Sequence, residues 1–406
     1  MLLNWLRRRR RQDGARRTHA AEGRSDPGRA HVTQEEGAIP RPEIWFFGGK
    51  GGVGKTSCAA AQALALAEKG EPTLLVSTDP AHNLGDLFGD LGGRPRAIAA
   101  CLDVMELDPE QECERYLEQV RQRIAPLVSG ERSATVMRQL ALARHAPGTS
   151  EAALFDALVE IILTPPAPLT PDSSSYRHIL FDTAPSGHTI RLLSLPEVLG
   201  GWLEGMLGQR RRAVAERSLW LDSQQTATAS KPGSSAPEDP ISEALEQRRT
   251  RYKALRRCLT DASRARVILV STPEKLPCLE TTRTRDALEA HGLAVGGLII
   301  NQCLPDASSE VSGASSPSSG EAQADWVASW REQQQHWAAR LEEAFADRPC
   351  LRLSRQSRLP EDRESLAPLI TALSTFRPWR HASSCCQARS PHPTTCTSAH
   401  RPQHQR

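Results

Sequence analysis

Gly49, Gly54, Lys55 and Thr56 stand in the spacing G-x-x-x-x-G-K-[ST] within Phe46–Ser57, FFGGKGGVGKTS. Residues of these types in this order can cradle a polyphosphate. Gly49, Gly51, Gly52 and Gly54, with Val53 among them, let consecutive main-chain N–H groups converge on one centre. A helix opening at Lys55, Thr56 and Ser57 adds partial positive charge at the same place. The pattern puts the Lys55 ammonium on the β- and γ-phosphates of ATP and the Thr56 hydroxyl on Mg²⁺. Lys50, between Gly49 and Gly51, is a second lysine inside the loop. Its plain reading is a solvated surface cation.

Three acids and an amide elsewhere could complete such a site. Asp79 follows the apolar run Thr73–Ser77 and precedes Pro80, which suits a helix N-cap. An acid at the carboxyl end of a strand beside the phosphate loop can equally orient an attacking water, and the two roles are compatible. Asp182 closes His178-Ile179-Leu180-Phe181. An apolar strand ending in Asp is the arrangement that holds Mg²⁺ directly or through water, and the plain alternative is a turn cap. Gly187, beyond it, could bring a backbone N–H to the γ-phosphate in a loop that changes shape when that phosphate leaves. Glu274 stands at a helix start after Arg266–Ser271, and Asn301 ends Gly297–Asn301, placed to read a base edge.

These residues require parallel strands with helices between them. Ile44–Phe47, Thr73–Ser77, Val104–Leu107, His178–Asp182, Arg266–Ser271, Gly297–Asn301 and Leu351–Leu353 read as short buried strands. Helices are expected from Thr56 to Gly70, from Glu110 to about Arg144, over Ala152–Ile162, over Pro196–Asp222, over Ile241–Asp261, from Thr272, over Ala324–Ala346 and over Leu366–Leu373. Leu199, Trp202, Leu203, Met206 and Leu207 share one helical face. Trp326, Trp330, Trp337, Leu341 and Phe345 share another, expected to pack on the sheet. The fold class is therefore α/β: a P-loop nucleotide-hydrolase fold with a mostly parallel sheet flanked by helices.

The 406 residues carry a net charge of +3 and ten scattered cysteines without a C-x-x-C pair. The common signature of a structural zinc site is absent, and reduced thiols suit a cytoplasmic compartment. No run of 18 apolar residues exists, so no spanning segment is expected. Five arginines, Arg7–Arg11, mark a basic arm over residues 1–40, read as a disordered extension. Organelle targeting and contact with anionic lipid or nucleic acid stay open for it, though no specific nucleic-acid partner is expected. Residues 223–240 are low-complexity, a Ser-rich insert follows Leu304, and residues 376–406 read as a disordered tail.

GGKGGVGKTS, STDPAHNLGDLF and FDTAPSGHTIRLLSLP, in that order, resemble the arsenite-pump and tail-anchored-protein-targeting ATPase family. LDVMELDP, PGTSEAALF, STPEKL and INQCLP extend the resemblance over residues 43–375. It implies an ATPase domain over 41–375 with a helical subdomain at about 110–170 and 190–260. It also implies that Lys50 acts in trans on the nucleotide of a second copy, which requires a homodimer because the chain has one P-loop. Lys55 would be the P-loop lysine, Thr56 a Mg²⁺ ligand, Asp79 the water-orienting acid and Asp182 the switch aspartate. Glu274 would reach the partner's nucleotide and Asn301 the adenine. The expected partner is a hydrophobic membrane-protein segment or a membrane-bound receptor or pump. Metalloid-sensing members carry cysteines near PGTSEAALF and after the second switch; here none lies between Cys113 and Cys258, so a three-thiolate site is not expected. The alternatives are an ATPase energising arsenite or antimonite efflux and a nucleotide-dependent membrane-surface positioner.

Overall fold

The computed structural model describes residues 41–79, 83–124, 148–171, 173–183, 240–305 and 320–378, with scattered positions between 137 and 212. The expectations for the basic arm, Pro80–His82, Gly187, most of 196–222, the low-complexity inserts and the far tail lie outside these residues.

Eight strands form one sheet: β1 (Glu43–Gly48), β2 (Thr73–Ser77), β3 (Arg96–Ala99), β4 (Leu102–Glu106), β5 (His178–Asp182), β6 (Ala265–Ser271), β7 (Val295–Cys303) and β8 (Cys350–Ser354). Their spatial order is β3-β4-β2-β5-β1-β6-β7-β8. Every pairing is parallel except β3 with β4. The order reverses around β1, so the chain leaves β1 at the topological switch point where α/β folds bind ligands.

The described helices are α1 (Lys55–Ala67), α2 (Asn83–Phe88), α3 (Pro109–Ile124), α4 (Thr149–Leu163), α5 (Pro240–Thr260), α6 (Lys275–Ala290), α7 (Gly320–Ala344) and α8 (Ala367–Leu373). Strand alternation sorts the core into two faces. Ile44 and Phe46 of β1 join Ile179, Phe181, Val267 and Leu269 beneath α4, α5, α6 and α7. Trp45 and Phe47 join Leu75, Leu180, Ile268 and Val270 against α1 and α8. Central strands buried on both faces explain why β1, β2, β5 and β6 read as nearly continuous apolar runs. Helix α1 offers the sheet mostly alanine methyls, Ala59, Ala60, Ala61, Ala63 and Ala65, all buried.

A polar knot ties three helices. The Arg248 guanidinium of α5 pairs with Asp156 of α4 and donates to the Tyr116 hydroxyl of α3 across 3.2 Å. Tyr252 donates to the same Asp156 across 3.0 Å.

One strand was not expected, and one expectation needs correction. The edge strand β3 has no sequence forecast, being four residues long and largely exposed. The aromatic face on α7 packs only at its carboxyl end. Leu341 and Phe345 are buried, while Trp326 is 60% exposed and lies against Trp330 with ring centroids 5.1 Å apart. Trp330 is half-buried, with the Arg355 guanidinium over its ring at 5.8 Å, so exposure on this face is greatest at Trp326.

Candidate functional site

The phosphate loop leaves β1 at Gly48 and enters α1 at Lys55. Its shape is forced at two glycines. A Cβ on Gly49 would stand 2.2 Å from the Val270 carbonyl oxygen of β6, closer than atoms can approach. Gly54 has φ 89°, a left-handed backbone, and a Cβ there would meet the Asn301 amide nitrogen at 2.3 Å. The first hydrogen bond of α1 runs from the Cys58 N–H to the Gly54 carbonyl, at 3.0 Å, and no side chain caps the helix. The N–H groups of Lys55, Thr56 and Ser57 therefore precede any intrahelical acceptor, which is how a helix end receives an anion.

Lys55 is buried and its ammonium donates to the Lys50 carbonyl across 3.2 Å. Burial lowers its pKa, while Asp182, Asp79 and Glu280 raise it in return. The loop thus holds its own lysine folded against it.

Asp182 is fully buried, and among the described residues neither carboxylate oxygen has a hydrogen-bond partner of ordinary geometry. Burial pushes its pKa up to about 7; Thr56 and Lys55 pull it down, and Asp79 and Glu106 add to the rise. The Thr56 hydroxyl lies close enough to act on its charge. An orphaned acid beside a hydroxyl and under a phosphate cradle is a donor set that fits Mg²⁺. Asp182 and Thr56 would hold that ion, whose charge when bound offsets that of the phosphates.

Asp79 is half-buried two residues past the end of β2. Its position is set by its neighbours. The Thr78 N–H and hydroxyl both donate to the Asp182 carbonyl, at 2.9 and 3.2 Å. The Asp79 N–H donates to the Ser77 hydroxyl across 3.3 Å. Thr183 in turn donates to the Phe47 carbonyl across 2.7 Å, so the exits of β2, β5 and β1 are laced together.

Lys50 lies at the rim. Its side chain is 41% exposed and pairs with Glu280 of α6 at 3.9 Å. Glu274 precedes α6, is exposed and makes no cap bond. Among the described residues no hydrogen bond or ion pair ties it to the loop. Asn301 is buried, with its amide nitrogen donating to the Val53 carbonyl across 2.9 Å. The structure therefore assembles Lys55, Thr56, Asp79 and Asp182, lays Asn301 under the loop and leaves Lys50 and Glu274 on the outside.

Sequence reading passed over Glu106 and Glu280. Glu106 ends β4 as Asp182 ends β5, and both align with Ser77 in register. A buried apolar strand closing on an acid was the usable signal. Glu280 had none, since it is one glutamate on a polar helix face.

Burial makes an ionised Asp182 costly when the site holds no cation. Because its folded pKa lies above the ordinary carboxylate value, the folded state keeps a proton that the unfolded chain releases. Ligand-free stability therefore falls as pH rises from about 4 to about 7. Asp182→Asn should raise the melting temperature in EDTA at pH 8 by roughly 5 °C and change it little at pH 4. Thermal denaturation at the two pH values checks this; a loss of stability at pH 8 would contradict it.

A family model described as "Anion-transporting ATPase" matches residues 42–358. The chain is 34% identical over 268 residues to the "Putative arsenical pump-driving ATPase 2" of Aquifex aeolicus, covering 65% of this chain and 81% of that protein. It is 36% identical over 267 residues to the "Arsenical pump-driving ATPase" of Escherichia coli, but spans only 40% of that longer protein. It is 31% identical to "ATPase GET3B" of Arabidopsis thaliana over 284 residues, 66% of each chain. The matched stretch takes in β1, the phosphate loop, both strand-end aspartates and the Asn301 strand; the chain belongs to the anion-transporting ATPase family.

Proposed function

We propose that this chain is an ATP-hydrolysing switch that works as a homodimer and handles hydrophobic segments of membrane proteins. The observation that carries the reading is the split between a lysine folded into its own loop and a lysine left outside it. Lys55 serves the phosphates of its own chain. Lys50 is half-exposed at the rim, where it can reach a second copy's nucleotide. Leu276 and Leu279, 65% and 36% exposed, stand on the turn of α6 before Glu280 and supply apolar surface for that copy.

In this reading the N–H groups of the loop and Lys55 bind the polyphosphate. Thr56 and Asp182 hold Mg²⁺. Asp79 orients the attacking water and accepts its proton, and Lys50 of the second copy meets the charge that develops on the transferred phosphoryl group. Glu274 serves the nucleotide from the second copy. No helix among the described residues is long and apolar enough to cross a membrane. We place the protein in the cytoplasm, with a membrane-bound receptor or pump as its docking partner.

The names of the bacterial relatives favour a second reading, the driving of arsenite or antimonite efflux. Steady-state ATPase assays separate the two. Arsenite should leave the rate unchanged, and the rate per chain should fall on dilution as dimers part. Several-fold stimulation by arsenite would select the efflux reading. Undiminished turnover by a species shown to be monomeric by light scattering would overturn the dimeric switch.

A further inference from the structure

Two consecutive amides at the end of β7 lie against the carbonyls of the phosphate loop. The Asn301 Nδ2 donates to the Val53 carbonyl across 2.9 Å in a buried setting. The same nitrogen occupies the space a side chain on Gly54 would need. Gln302 follows with φ 59°, the one non-glycine residue with a left-handed backbone among the described residues. That turn aims its side chain back at the loop, with Nε2 3.5 Å from the Gly52 carbonyl. Backbone held in a sparsely populated region calls for an explanation in what it holds.

The peptide plane supplies one. In a trans peptide the carbonyl and the following N–H point in opposite directions. Fixing the Val53 carbonyl on Asn301 therefore aims the Gly54 N–H the other way, and fixing the Gly52 carbonyl aims the Val53 N–H. These are N–H groups that a phosphate loop turns on its ligand. We infer that Asn301 and Gln302 are positioning residues for the phosphate cradle and strengthen polyphosphate binding whatever base is attached. The inference rests on reading the loop as a phosphate site, and it gives Asn301 a task that adenine contact does not cover.

A ligand without a base separates the two tasks. The affinities of the full-length protein for ATP and for inorganic tripolyphosphate, each with Mg²⁺, are measured by calorimetry at a temperature where every variant is fully folded. Loss of stability alone then leaves both affinities in place. Asn301→Asp keeps the shape and removes the donor; Asn301→Ala removes the contact. Each should weaken both ligands by the same factor, about tenfold, the scale of one buried hydrogen bond. Gln302→Ala, at a half-exposed position, should weaken both by about threefold, matching its longer contact, and carries the test if the buried substitutions do not fold. Weakened ATP with unchanged tripolyphosphate would assign Asn301 to the base and overturn the inference, as would unchanged affinity for both. If the unsubstituted protein bound neither ligand, the phosphate reading of the loop would fall first.

Discussion

Asp79→Asn should bind ATP within about twofold of the unsubstituted protein and turn it over ~10³-fold more slowly. The geometry predicts both halves of that result. Asn keeps the size and the main-chain bonds of Asp79, and the Thr78 contacts to the Asp182 carbonyl that place the residue do not involve its side chain. What Asn lacks is a lone pair basic enough to accept a proton from water. An interaction made chiefly in the transition state changes kcat and leaves ground-state affinity in place. Calorimetric titration with ATP beside single-turnover hydrolysis reads the two separately. Full turnover would remove Asp79 from the chemistry, and a large loss of affinity would make it a binding residue.

Lys50→Ala should lower kcat by ~10³-fold, the range spanned by charged groups supplied in trans to a phosphoryl transfer. Loss of rate alone does not say which chain the lysine serves. Mixing does. In a dimer with one Lys50→Ala chain and one Asp79→Asn chain, the first chain's site keeps its own aspartate and can draw a lysine from its neighbour. Two nearly inactive proteins should then recover about a quarter of normal activity, since half the dimers are mixed and each has one working site. A lysine acting within its own chain gives no recovery. The pairing of Lys50 with Glu280, 3.9 Å apart and both about 40% exposed, is weak enough for the side chain to leave it.

The central strands were legible because burial on both faces leaves an unbroken apolar run, and the loop was legible because its glycines answer to single contacts. Gly49 faces the Val270 carbonyl, and Gly54 faces Asn301. Strand β3 was hidden by being short and largely exposed, which removes the hydrophobic pattern that sequence reading depends on. The exposed Trp326 misled for the opposite reason: helical periodicity reports a face, not what the face meets. Asn301 was noticed as the end of an apolar strand. Its contact with Val53 joins residues 248 positions apart, and only the sheet order brings them together. Asp182 was found from its strand, but its complete burial, and the lack of a partner for its carboxylate among the described residues, are properties of packing.

The two margins of the sheet bear on how copies of this chain can meet. On one side β3 is antiparallel, four residues long and irregular between Ala97 and Ala99, with Arg96 exposed. On the other, β8 is five residues long, and its Arg352 is exposed and paired with Glu342. Neither margin offers a long flat row of free main-chain groups for another strand to zip onto. Crowding this protein should therefore not seed fibrils by growth from either of these two edges, which leaves side chains as the means by which the described sheet can meet a second copy.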